Sequence, residues 1–169
     1  MLNKDEIIFV VDRDNKPLEP KPRHFVHKNN LWHRTTGIWV VNSQKRVLCQ
    51  KRSLNKDVRP GYWEAFFGGH LLAGEEFINS AVNELKEELD IAVSASDVVP
   101  YKVFKSENST HKEFQQVFFL FTDLEIGKLK YEKEEIDQLK WLSLEKLKKI
   151  LVVQKSRRWV IKPWDEEVL

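Results

Sequence analysis

The chain has 169 residues, of which 41% are hydrophobic and 32% charged, with a formal net charge of +2. That length suits one well-buried domain, and the near-neutral balance argues against a nucleic-acid polymer or a membrane surface as partner. Cys49 is the single cysteine, which excludes an internal disulfide and a cysteine-rich zinc site.

In chain order, IIFVVD (Ile7 to Asp12) reads as a strand closed by the turn-prone DRDNKP. The polar stretch that follows carries His24, His27 and His33. GIWVVN (Gly37 to Asn42) and RVLCQKR (Arg46 to Arg52) read as strands flanking a hairpin turn at NSQK, with Cys49 a small core residue. RPGYWEAFFGGH starts on a Pro-Gly turn, continues as an aromatic strand and ends on paired glycines. Trp63, Phe66 and Phe67 are placed there for core packing, with stacking on a nucleobase as the alternative. Phe77 to Leu89 is the strongest helix. VVPYKVF and FQQVFFLFTD read as two strands paired across SENSTHKE. KWLSLEKLKKILV ends the core as a strand, a Ser143 cap and an amphipathic helix. Strands on both sides of a central helix predict one α/β (α+β) domain with a mixed sheet. It spans residues 1–169: an N-terminal strand and strap 1–30, a core 31–153 and a C-terminal strap 154–169. The strap KSRRWVIKPWDEEVL is also a candidate dimerisation element. No leader pattern opens the chain, and no apolar run approaches the roughly 20 residues that span a bilayer, so a cytoplasmic location is expected.

The predicted helix has a physical peculiarity. At about 100° per residue, Ile78, Ala81, Val82, Leu85 and Leu89 share one arc, and Glu84, Glu87 and Glu88 share another. Like charges three and four residues apart cost a few tenths of a kcal/mol per pair, and Lys86 projects away from them. A merely solvated acidic face is the bland reading. A divalent cation would relieve the crowding, and clustered carboxylates suit Mg²⁺ or Mn²⁺. Gly68 and Gly69 ahead of the helix, with a second bend at Gly74 and Glu75, form a loop able to turn amide N–H groups toward an anion. Metal ligands beside an anion cradle are what diphosphate chemistry requires.

Gly69, five residues, Glu75, seven residues, then Asn83-Glu84-Leu85-Lys86-Glu87-Glu88-Leu89-Asp90-Ile91 resembles the Nudix box, G-x5-E-x7-R-E-U-x-E-E-x-G-U with U bulky aliphatic. Seven of nine specified positions match, every glutamate among them. The resemblance implies an α/β/α sandwich and Mg²⁺-dependent attack of water on a diphosphate. Glu84, Glu87 and Glu88 would hold metal, and the base would be one of them or a glutamate outside the box. Asp90 replaces the pattern's glycine, a mild change because Asp tolerates the left-handed conformation. Asn83 replaces its arginine, which costs charge and reach.

HKNNLWHR, LCQKRSLNKDVRPGYWEAFFGGH, EFQQVFFLF and EEIDQLKWLSLEKL are similar to Nudix proteins related to isopentenyl-diphosphate isomerase. There a cysteine precedes the Gly-His and works with a later glutamate. Here Gly68 stands at the cysteine position and Glu113 at the glutamate. The isomerase likeness also implies a second metal at His27, His33 and His70, with Glu113; the alternative is that the histidines orient loops. Lys51 and Arg52 are candidate phosphate contacts beside Gly68, Gly69 and His70. Glu135 resembles an auxiliary acidic position. The expectation is a Nudix hydrolase acting on a nucleoside diphosphate or related small molecule. Alternatives are an isomerase-like enzyme, opposed by Gly68, and a weakly active diphosphate-binding protein, favoured by Asn83.

Overall fold

A computed structural model describes residues 6–56 and 58–153. Ten residues of strand β3 (Trp32–Val41) are almost all buried, as expected where a strand is covered on both faces. Around it the order is β1 (Ile7–Ile8), β2 (Lys21–Pro22), α1 (Arg23–Lys28), β3, β4 (Arg46–Arg52), β5 (Trp63–Glu64), α2 (Phe77–Leu89), β6 (Val98–Glu107), β7 (Lys112–Phe121), β8 (Ile136–Ser143) and α3 (Leu144–Val153). The main sheet runs β5-β4-β3-β7-β6, with β8 on the other side of β4. β3 and β7 are parallel along their whole length, from Trp32 opposite Lys112 to Val41 opposite Phe121. The other pairings are antiparallel, so the sheet is mixed.

One irregularity organises the molecule. β3 and β4 share a single pair, Val41 with Val47, and then splay apart. Residues 63–72 run into the gap. β5 pairs with β4, while Phe67 and His70 bridge to Ile38 and Thr35 of β3. The Thr36 N–H donates to the Gly69 carbonyl at 2.9 Å, and the Leu71 N–H to the Arg34 carbonyl at 2.9 Å. The glycine segment is thereby extended sheet rather than a loop opening directly onto the helix.

Helix α2 lies on one face, burying Ala81, Leu85 and Leu89 against Ile38, Val40, Leu48, Phe67, Phe118 and Ile136. Helix α3 covers the other, with Leu147 near Trp39, Val47, Cys49, Val117 and Leu142. The predicted helix bounds, the β6–β7 pairing and the sandwich all hold. Ser143 accepts from the Lys146 N–H at 3.3 Å, as a cap should. Helix α1 departs from the expectation of an irregular polar stretch: its six residues bury only Val26, too little for an amphipathic pattern to register. The C-terminal strap and its dimerisation role lie outside the described residues. Among those residues no helix is long and apolar enough to cross a membrane.

Leu85 is fully buried between the acidic helix and the sheet. Leu85→Ala should cost about 3 kcal/mol in urea unfolding, the usual cost of a leucine-sized cavity, whereas Lys86→Ala on the exposed side should stay within about 0.5 kcal/mol.

Candidate active site

The inserted segment sends neighbouring side chains to opposite faces of the sheet, as alternation in a strand demands. Gly69 lies under α2. A Cβ there would strike the Glu84 carboxylate, so only glycine lets that carboxylate approach the backbone. Gly68 has φ +134°, and a Cβ on it would collide with the Thr36 carbonyl. The next residue, His70, turns to the face of Thr35 and Trp39.

On the α2 face the three box glutamates are not equivalent. Glu87 is exposed, Glu84 half-buried and Glu88 buried. Oε2 of Glu88 is buried without a hydrogen-bond partner. Burial, and then the Glu87 charge, push the Glu84 carboxyl up to about 8. Burial, then Glu84, Glu64 and Glu135, push Glu88 well above the ordinary carboxylate range, with Lys56 opposing. The turn before β8 docks on this helix through the Glu132 N–H, which donates to the Glu88 carbonyl at 3.0 Å. That contact brings Glu135 alongside, where it pairs with Lys56, and its carbonyl accepts from the Ser53 N–H at 2.8 Å. An orphaned buried oxygen amid carboxylates that resist ionisation fits a hard divalent cation.

Asn83 does more than its length promised. Its Nδ2 donates to Glu75 Oε1 at 2.8 Å, and the Leu72 N–H donates to Oε2 at 3.2 Å. Asn83 therefore still ties the box's first glutamate to the helix, correcting the expectation that it lacks the reach. Asp90 takes the left-handed conformation (φ 51°, ψ 33°) and caps the helix as anticipated.

The second cluster sits on the opposite face. His27, His33 and His70 each offer a ring nitrogen, and these atoms all lie within 4.8 Å of one another. His33 is buried, and its Nδ1 donates to the Leu31 carbonyl at 2.9 Å. Nε2 of His27 and Nε2 of His70 are 2.9 Å apart. Glu113, buried and level with His33 across the β3–β7 pairing, accepts from Thr35 Oγ1 at 3.5 Å and lies 3.8 Å from His111 Nε2. Three imidazoles converging beside a buried carboxylate fit a transition-metal ion.

Other candidates are placed differently. Lys51 continues the Val47 and Cys49 side of β4, away from the carboxylate helix, and binds Asp137 at 2.6 Å. Arg52 is engaged by Glu64 at 3.2 and 3.3 Å and by the Val58 carbonyl at 2.9 Å. Phe66 and Phe67 are core residues, and Trp63 packs on that core with Lys140 Nζ 3.5 Å from its ring centre. His24 is exposed. Glu6, Lys56 and Glu64 join the site although sequence reasoning passed over them. Only Glu64 left a trace, as an acid inside the aromatic run YWEAFF. Burial raises the Glu6 carboxyl most, Arg23 opposes it, and Glu87 and Glu75 add to it.

These shifts carry a sign. A carboxyl raised above its ordinary 4.5 contributes stability fully present below that pH and lost as pH climbs through about 8. Metal-free protein in EDTA should therefore melt at a lower temperature at pH 8 than at pH 6. Millimolar Mg²⁺ should raise the melting temperature more at pH 8, and Glu88→Gln should flatten both trends in thermal unfolding.

A NUDIX domain profile matches residues 31–162. The chain is 42% identical over 86 residues to an uncharacterized Nudix hydrolase of Pseudomonas aeruginosa, a match covering 51% of this chain and 51% of that relative, about half its length. It is 27% identical over 145 residues to an isopentenyl-diphosphate Delta-isomerase of Serratia proteamaculans, covering 85% of this chain and 79% of the other. A Deinococcus radiodurans protein of known crystal structure shares the fold, with a TM-score of 0.79 at 21% identity over 96% of this chain and 97% of that one. With the profile covering most of its length, and with the box glutamates gathered on one helix, the chain belongs to the Nudix family.

Proposed function

We propose that the protein is a divalent-cation-dependent hydrolase that directs water onto the diphosphate linkage of a nucleoside diphosphate or a related small molecule. The observation that carries this reading is the buried, unpartnered Glu88 Oε2 beside a Glu84 carboxyl held protonated near neutrality. Among the described residues, no hydrogen bond satisfies that buried oxygen. Glu84, Glu87 and Glu88 would hold Mg²⁺ or Mn²⁺, with Gly69 allowing the backbone to stand close. The cation would neutralise charge on the diphosphate and acidify a water.

The chain's own residues supply the rest. A carboxylate that ligates the metal is the poorer base, so the proton from water goes to Glu135, which flanks Glu84 and Glu88 outside the proposed ligand set and pairs with Lys56. Lys56 acts on Glu88 from within this group of acids, which supports Lys56 rather than Lys51 as the lysine that would meet a phosphate. Arg52 stiffens Glu64 at the edge of the site. His27, His33 and His70, with Glu113, would hold a second metal on the opposite face of the inserted segment.

That second centre favours an isomerase-like reading, and Gly68 opposes it. With φ +134° and the Thr36 carbonyl against its missing Cβ, Gly68 occupies a position that a cysteine enters only with strain. The acid–base pair across an allylic substrate is thus incomplete.

Phosphate release should be measured over a panel of diphosphates with Mg²⁺ or Mn²⁺. Glu88→Gln is expected to lower kcat/KM by about 100-fold or more, since even losing an outer-shell partner of a metal costs 10–100-fold. Activity that survives Glu88→Gln and Glu87→Gln would refute the cation assignment. Isopentenyl diphosphate should give no allylic isomer, with the wild-type protein or with Gly68→Cys.

A further inference from the structure

The start of the described chain runs antiparallel to the residues after His70. The Ala73 N–H donates to the Ile7 carbonyl at 3.1 Å, the Phe9 N–H to the Leu71 carbonyl at 2.8 Å, and Ile8 bridges Leu72. On the other side, the Arg23 N–H donates to the Glu6 carbonyl at 2.8 Å. These bonds fix the Glu6 backbone and set its carboxylate Oε2 4.0 Å from Nδ1 of His70. The far end of the same ring, Nε2, is 2.9 Å from His27 Nε2. One nitrogen of His70 therefore faces the histidine cluster and the other faces an acid.

An imidazole that ligates through one nitrogen is oriented by what the other donates to, most often a carboxylate or a backbone carbonyl. His33 already shows half of this arrangement, its Nδ1 held by the Leu31 carbonyl. We propose that Glu6 does for His70 what Leu31 does for His33: it takes the Nδ1 proton in a hydrogen bond and presents Nε2 to a metal shared with His27 and His33. Glu6 is a positioning residue and not itself a ligand. At 29% exposure its side chain has room for the small rotation that closes 4.0 Å to hydrogen-bond length. The inference rests on the histidines being a metal centre, and it ties that centre to the first residues of the fold.

The test is Co²⁺ titration of the EDTA-stripped full chain, read by visible absorption and affinity rather than turnover. Wild-type protein should develop the absorption of a nitrogen-ligated cobalt site, and His33→Ala should abolish it. Glu6→Ala should weaken Co²⁺ binding by 10–100-fold, the usual cost of losing an outer-shell partner, and Glu6→Gln, which keeps an acceptor oxygen, should weaken it less. A purely structural role for Glu6 would shift the metal-free melting temperature and leave the affinity alone. Glu6→Ala binding Co²⁺ within twofold of wild type would overturn the positioning role while the histidine site stood. A wild-type cobalt spectrum unchanged by His33→Ala would remove the histidine site itself, and the proposal with it.

Discussion

Burying a carboxylate oxygen without a donor to satisfy it is among the costliest things a fold can do, and among the described residues Oε2 of Glu88 is buried in that way. Its neighbour Glu84 is pressed against a backbone that only glycine keeps clear. Two such groups cannot both ionise side by side in a desolvated site. They either hold protons or share a cation. Much of the surrounding structure serves to keep them there. Leu85 and Leu89 anchor the helix from behind, Asn83 ties Glu75, and the Glu132 N–H fixes the turn that brings Glu135. Relaxing any of these would let water reach the carboxylates and bring them back toward the ordinary carboxylate range.

The splay between β3 and β4 decides where everything else goes. The inserted segment has two faces, and consecutive residues Gly69 and His70 serve a carboxylate site on one and a histidine site on the other. Glu6 stands where the two meet, near His70 and within the electrostatic reach of Glu87 and Glu75. A single strand of chain thus couples two chemically distinct donor sets, one hard and oxygen-based, the other nitrogen-rich. The same geometry places Gly68 against Thr36 and so limits what chemistry the position after Phe67 can perform.

Legibility in the sequence followed the range of the interactions. The bounds of α2 and of β4, the Ser143 cap and the left-handed Asp90 all depend on neighbours within a turn or two, and all are readable from periodicity and capping rules. Lys51 ends a strand close to the expected site in sequence, but alternation in β4 turns it to the far face. Asn83 is shorter than the arginine it replaces, but the bend at Gly74 brings Glu75 within its reach. Lys56 and Glu6 entered the site through pairings 79 and 64 residues away along the chain, between Lys56 and Glu135 and between Glu6 and His70, and no local pattern announces those. Helix α1 is too short and too polar to show a face.

In the proposed cation site, Glu84 and Glu88 hold protons until a cation takes their place. Mg²⁺ or Mn²⁺ binding at pH 7, followed by calorimetry in buffers of different ionisation enthalpy, reads this directly, because ligands that must deprotonate release protons on binding. Binding should be stoichiometric, with release of on the order of one proton per cation, and that release should be lost in Glu88→Gln. Binding with no proton release, or binding unaffected by that substitution, would contradict it.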